Sequence, residues 1–296
     1  MVLINDEARR GMAKSDIYGI QKPDISLRGV AESQVVYYSQ KEFELASFLA
    51  GLFITRTDRI REEILRAIDS GVLAQSAITT IGQRLANVRL LTESDITLIR
   101  NFLREVFRVA IDDSINTAVI KRVLPRNEIN QEGLNSIDED KYIESTIDKL
   151  NYYYGEYVNR VFLPALNNRQ SAIDSETLNK IFLNNQYFNQ LASNTVIRLY
   201  HAGYLNAMVV NDITHYRYIA IQDADTSHIC NSLHGSEWEV STNLATLDTY
   251  YDVPAGIDKT VLRYAKPSLE EVTSAIPANF HPNCRSTIVA SRRLST

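Results

Sequence analysis

Both cysteines of the chain, and three of its five histidines, fall between Tyr218 and Val289. Cys230 and His234 stand four residues apart, and His281 and Cys284 form a second half inside His281-Pro282-Asn283-Cys284-Arg285-Ser286. Two thiolates and two neutral imidazoles match a tetrahedral zinc shell, which would be closed, with no open position for a substrate. Such a metal contributes directly to folding. More than forty residues separate the halves, so the spacing leaves two other readings open. One is a Cys230–Cys284 disulfide. The other is reduced thiols with ordinary polar histidines, as suits a cytoplasmic environment.

Other constellations are weaker. His281 near Asp223 or Asp225 would suggest acid-base work, and a bound metal could activate water or phosphate. The chain has no HExxH, no phosphate-binding glycine loop and no GxSxG elbow. Asp112 and Asp113 are adjacent, so on a helix they do not share a direction, and surface or capping roles suit them better than a catalytic pair. Arg285, Arg292 and Arg293 could meet nucleic-acid phosphate or form a solvated basic tail.

These residues need elements to hold them. Tyr216 to Gln222 partly alternates and predicts a strand. Asp223-Ala224-Asp225-Thr226-Ser227 reads as a polar turn whose side chains accept backbone hydrogen bonds. Cys230 and His234 then share one helical or turn face, and Gly235 stops the pattern. Glu237 to Val240 predicts a second strand, with Trp238 as an aromatic core anchor. Residues 241–280 are polar and turn-rich, and their expected role is to return His281 and Cys284 towards Cys230.

The chain before Asp212 reads as helical scaffold. Leu45, Leu49, Leu52, Ile60, Ile64 and Ile68 predict a long helix, or two joined helices, over about 32–69, with Gly51 as a defect or close-packing point. A shorter helix is expected over about 73–89. Thr92 to Asp95 resembles a helix start, and Ile96, Ile99, Leu103, Val106 and Ala110 follow at helical spacing, with a second piece from Ser114 to Ile120. Ser136 and Glu139 have capping-box spacing ahead of a seam of Ile143, Ile147, Leu150, Tyr154, Val158 and Val161. Further helices are expected over about 175–184 and 186–211. His201 is expected in packing or on the surface, and His215 at a boundary.

The predicted fold is mainly α. An elongated helical bundle is followed by a small α+β C-terminal module, with residues 1–30 as an arm or lead-in, 31–212 as scaffold and 213–296 as the module. At 296 residues with 45% apolar and 23% charged side chains, the chain can bury a substantial core without disulfide staples. A net charge of −5 argues against a surface coated in basic charge for nucleic acid. Residues 1–10 lack the apolar run of a signal peptide, and no apolar segment reaches membrane-spanning length.

In residue order, the chain resembles the tailed-bacteriophage minor head or head-morphogenesis proteins, the broad group that includes the Mu F-like and SPP1 gene-product-seven-like proteins. The resemblance runs over roughly residues 190–290. It is carried by Asp223-Ala224-Asp225-Thr226-Ser227-His228-Ile229-Cys230, then Leu233-His234-Gly235-Ser236-Glu237-Trp238, then Pro277 and His281-Pro282-Asn283-Cys284-Arg285-Ser286. Asp223, Asp225, Thr226, Gly235, Trp238, Pro282 and Arg285 are the structural residues of that signature. The chain departs from the pattern at Asn194-Thr195-Val196 and at Ser286.

The resemblance implies a low-copy, non-enzymatic minor capsid or head-assembly component in the virion head or portal region, assembled in the host cytoplasm. Its implied partners are the portal protein, then major capsid or scaffold protein, then genomic DNA, with no membrane requirement. The resemblance names no cofactor, and structural zinc stays the reading of Cys230, His234, His281 and Cys284 themselves. Two alternatives stand beside it: a DNA-contacting packaging or ejection protein, and a metal-dependent nuclease or toxin-like enzyme.

Overall fold

A computed structural model describes residues 25–70, 75–86, 91–157, 159, 163–164, 176, 186–221, 226–255 and 286–293. The helix expected over 175–184, most of the arm, and the stretch carrying Pro277 to Arg285 lie outside the described residues.

Helix α1, Ile25–Asp69, is the longest described element. It begins inside the stretch expected to be an arm. Leu45, Leu49, Phe53, Ile60 and Ile64 all turn into the core. Gly51 neither breaks the helix nor packs closely: it is exposed, and a Cβ there would meet nothing within 4 Å. Apolar burial on either side outweighs the roughly 1 kcal/mol that a mid-helix glycine costs.

Helix α2 is Gln75–Ala86 and helix α3 is Glu93–Ile120. The break anticipated before Ser114 is absent, because Ala110, Ser114, Thr117 and Ala118 continue the buried stripe at helical spacing. At its start the Thr92 hydroxyl accepts from the Asp95 amide and the Asp95 carboxylate accepts from the Thr92 amide, a complete capping box. Arg56 of α1 donates to the same carboxylate at 2.5 Å. Burial pulls the Asp95 pKa up, but the bonds from Thr92 and the Arg56 charge outweigh it and leave it lowered. This carboxylate therefore contributes stability at neutral pH that is lost as pH falls through its depressed pKa. Thr92→Ala should cost about 1 kcal/mol, read as a lower urea midpoint with unchanged slope.

After Ile120 the chain reverses through Arg122 (φ 56°) and a 3-10 turn at Arg126–Glu128. Short helix α4, Gln131–Asn135, leads into α5, Glu139–Tyr157. The Ser136–Glu139 capping box does not form. Ser136 instead closes the end of α4, donating to Gly133 O at 2.7 Å, while Asp138 accepts the Lys141 amide at 3.3 Å. Ile143, Ile147 and Leu150 are buried as expected. Tyr153 and Tyr157 join them in the core, and Tyr152 stays exposed. On the outer side, Arg100, Arg104 and Arg108 of α3 meet Glu144, Glu139 and Asp140 of α5 at 2.6–3.0 Å.

Helix α6, Gln186–Val210, runs through the middle of the molecule and is buried on nearly every side. It crosses α3 at Gly203, where a Cβ would fall 2.5 Å from the Phe107 carbonyl oxygen. Only glycine admits that approach.

Beyond Asp212 (φ 57°) the chain enters β1, Ile213–Ala220. Then come α7, His228–Leu233, β2, Glu237–Glu239, α8, Val240–Asp252, and β3, Ser286–Arg293. The sheet order is β2-β1-β3, with both pairings antiparallel. Two of these elements were not anticipated. Helix α8 occupies part of the stretch read as turns, and β3 occupies the stretch read as a basic tail.

The mainly helical N-terminal region and the C-terminal sheet share one core. A single buried cluster extends from Val35 of α1, through α3, α5 and α6, to Ile288 and Ala290 of β3. Polar bonds cross the same seam. The Tyr38 hydroxyl donates to Ser286 O at 2.8 Å, and the Thr287 hydroxyl donates to Gln34 Oε1 at 2.5 Å. None of the described helices is long and apolar enough to cross a membrane.

Candidate functional site

The first half of the Cys/His signature wraps one end of β1. Ser227 caps α7 by accepting from the Cys230 amide at 3.2 Å. The Thr226 hydroxyl donates back to Ile221 O. Together these bonds turn the chain so that Cys230, Ile229 and Leu233 point into the core and His228 faces out. The Tyr218 hydroxyl donates to Cys230 Sγ at 3.3 Å, with both side chains buried.

His234 follows as the C-cap of α7, and Gly235 adopts φ +82°, a left-handed turn suited to glycine. That turn brings the chain alongside β1. The Gly235 amide donates to Tyr218 O at 2.8 Å, and the Tyr218 amide donates to Ser236 O at 2.9 Å. Two residues further along β1, the Ala220 amide donates to His234 Nδ1 at 3.2 Å. An imidazole nitrogen thus stands where a neighbouring strand would present a carbonyl. On the opposite edge of β1, Ala220 pairs with Ser286 of β3.

This geometry fixes the histidine's chemistry. A neutral imidazole has one acceptor nitrogen. Nδ1 uses it for the Ala220 amide, so the proton resides on Nε2. Metal-bound histidines donate their second ring N–H to a partner. A zinc ion on Nε2 would need the opposite tautomer, and one on Nδ1 would displace the Ala220 amide. The corner as arranged is that of a hydrogen-bonded imidazole. Burial, reinforced by the Arg217 charge, holds the His234 pKa below the ordinary imidazole value, which favours the neutral ring. Among the described residues, no three His, Cys, Asp or Glu side chains converge as metal ligands. Asp223, Asp225, His281, Pro282, Cys284 and Arg285 lie outside the described residues.

Trp238 is half-buried against the main core, and its indole N–H donates to Ser236 Oγ at 2.8 Å. Beside it, Glu237 accepts from Arg217 at 3.1 Å and from Arg292 across β1. Arg293 pairs with Glu128 and donates to Asn211 O at 3.1 Å. Arg292 and Arg293 are therefore cross-links of β3 to its neighbours and not a loose tail. Tyr218, Ser227, Ser236 and Glu237 were not singled out from the sequence. Only Ser227, a good N-cap residue just before a short apolar run, carried a local signal.

The central helix holds a second group of polar side chains. Gln190, Ser193, Asn194, Thr195, Arg198 and His201 are all buried along α6. Arg198 stacks on the Tyr250 ring of α8, 4.2 Å from its centroid. His201 is fully buried beside Tyr200, and among the described residues neither ring nitrogen has a hydrogen-bond partner. Burial lowers its pKa to about 3. The unfolded chain takes up this proton near pH ~6.5, so the native state should lose stability as pH falls from there towards the folded value. Urea midpoints measured between pH 7 and 4 for the wild type and His201→Asn isolate this contribution: the wild type should lose stability relative to the variant as pH falls. His215, in β1, is half-buried beside Thr214, as a boundary histidine should be.

No protein-family model matches the chain, and no curated protein or solved structure matches it either.

Proposed function

We propose that this chain is a structural assembly factor, a minor capsid or head-morphogenesis protein of the portal and head region of a tailed phage. The observation that carries the reading is the use of the signature side chains. Cys230, His234, Gly235 and Trp238 are all engaged in closing one corner of the sheet, and Ser286, which follows the signature's second half, is bonded to α1. Residues held this way build a rigid surface. Catalysis would instead require them to face a substrate.

The outer side of α1 supplies a contact face. Val36 and Phe43 are seven residues apart on one side of the helix and are 51% and 55% exposed. Portal protein is the first partner of this reading, with major capsid or scaffold protein second. Coexpression with portal and capsid proteins, followed by sedimentation of assembled heads, tests it. The chain should cosediment at low copy, and a Val36→Glu/Phe43→Glu double variant that still folds should stay behind. Absence of the wild-type chain from heads would remove the proposal.

Two further readings are open to direct tests. Genome contact through Arg285, Arg292 and Arg293 is weakened by the carboxylate partners of Arg292 and Arg293. Salt-sensitive duplex binding that is lost when these three arginines are neutralised would restore it. Structural zinc predicts stoichiometric metal in the purified chain and a large fall in melting temperature on chelation. The hydrogen-bonded corner predicts neither.

A further inference from the structure

The outer side of α1 carries a stripe that the fold leaves open. Val36, Gln40, Phe43, Ser47, Gly51 and Thr55 recur every three or four residues and are all exposed. Packing among the described residues accounts for neither Phe43 nor Gly51. The Phe43 ring is more than half exposed. Gly51 stands inside a 45-residue helix, where glycine is disfavoured against every residue but proline. It has no left-handed backbone to justify it. Nor does another element approach it closely, as the Phe107 carbonyl does at Gly203.

The stripe is complementary to itself. Phe43 lies one turn before Ser47, and Gly51 lies one turn after it. Two α1 helices laid antiparallel about a two-fold axis at Ser47 therefore bring the Phe43 ring of each copy over the Gly51 recess of the other. A two-fold contact requires this property, because one patch must supply both the projection and the hollow that receives it. Helices pack by setting side chains of one into the gaps of the next, and a missing side chain deepens the gap. The small Ser47 on the axis lets the backbones come close. All six stripe residues are uncharged, so no like charges meet across the axis. Glu44, at the margin, is neutralised by Lys41 at 3.0 Å and accepts the Gln40 amide at 2.8 Å.

We propose that the chain pairs with a second copy of itself through this stripe, α1 packed antiparallel on α1, with Phe43 of each copy seated over Gly51 of the other. The proposal rests on the outer side of α1 being a contact face, as above, and names what occupies it in the isolated protein. It does not depend on the phage assignment. The rest of each copy stays as it is, since the stripe faces away from the core that joins α1 to α3, α6 and β3.

Sedimentation of the purified full chain, with no other protein added, tests the pairing. The wild type should pass from monomer to dimer as its concentration rises through the micromolar range, and Phe43→Glu should stay a folded monomer. Gly51→Leu is the sharper variant. Its new side chain starts in open space and leucine is the better helix former, so the monomer should melt no lower than wild type. The variant adds apolar surface to the face yet fills the recess, so its dimer should be weaker by roughly tenfold or more, the scale of one lost anchor. Orientation is read by thiol cross-linking in a mixture of Gln40→Cys and Thr55→Cys chains, which should link to each other more than to their own kind. A wild type that stays monomeric, a dimer strengthened by Gly51→Leu, or a preference for like-with-like cross-links would each overturn the proposal. Head incorporation enters none of these measurements, so its failure would strike the assembly role alone.

Discussion

Gly203→Val should destabilise the chain by about 3 kcal/mol or more, the upper range for overpacking a closed core. The cause is backbone, not side chain. A Cβ at this position would stand 2.5 Å from the Phe107 carbonyl oxygen and 3.1 Å from Ala110 Cβ, so α3 and α6 must separate to admit it. Phe107 and Ala110 are themselves fully buried, and separation opens voids around them. Gly203→Ala sharpens the test. On propensity alone it would gain about 1 kcal/mol in a helix, yet here it should lose stability. Urea denaturation of the two variants decides the matter, and a stabilised Gly203→Ala would mean that the helices do not meet this closely.

Tyr218→Ala should be comparably severe, on the order of 3–5 kcal/mol for a buried aromatic cut back to alanine. Tyr218 is fully buried, its backbone pairs with Ile288 of β3, and its hydroxyl donates to Cys230. Its amide and carbonyl also hold Ser236 and Gly235. Tyr218→Phe removes only the hydroxyl and should cost about 1 kcal/mol. The difference between the two variants separates the packing contribution from the bond to sulfur. Thermal and urea melts of both should show the ordering. If Tyr218→Phe alone were as damaging as Tyr218→Ala, the corner would depend on the Cys230 contact far more than a hydrogen bond to sulfur allows.

The helical region was legible because its buried stripes repeat. Leu45 through Ile64, and Ile99 through Ala110, announce their helices by spacing alone, and Thr92 with Asp95 marks a start that forms as read. Where the reading slipped, a tertiary partner or a competing local bond decided. Ser136 had the spacing of a cap, but its hydroxyl is used by the preceding turn at Gly133. Helix α8 was hidden by its Ser and Thr content. Ser241 and Thr242 donate to the Glu239 carboxylate, while Thr246 and Thr249 donate to carbonyls one turn back. Those bonds let hydroxyl-rich sequence sit in a helix whose buried face is Val240, Asn243, Leu247 and Tyr251.

Strand β3 was the larger omission. Its run from Thr287 to Ala290 is short and apolar, and the arginines after it suggested a tail. Long-range pairing with β1 makes it a strand, and the carboxylates of Glu237 and Glu128 neutralise its arginines. In the site, the residue types were legible and their partners were not. Cys230 and His234 stood out, but nothing local shows that a tyrosine hydroxyl and a strand amide would claim them. The polar run on α6 was not singled out either: Ser193, Asn194 and Arg198 are buried there, and Arg198 packs on Tyr250 of α8.

The central claim is that the signature corner and the helical scaffold form one folding unit. Trp238, the single tryptophan, lies beside the corner, while far-UV circular dichroism is dominated by the helices. Following both signals through one urea titration is therefore the most direct measurement. The two transitions should coincide, and Tyr218→Ala should shift them together to lower urea. Trp238 fluorescence changing at a distinctly lower urea concentration, with helical signal retained, would contradict the claim and make the corner a separate module.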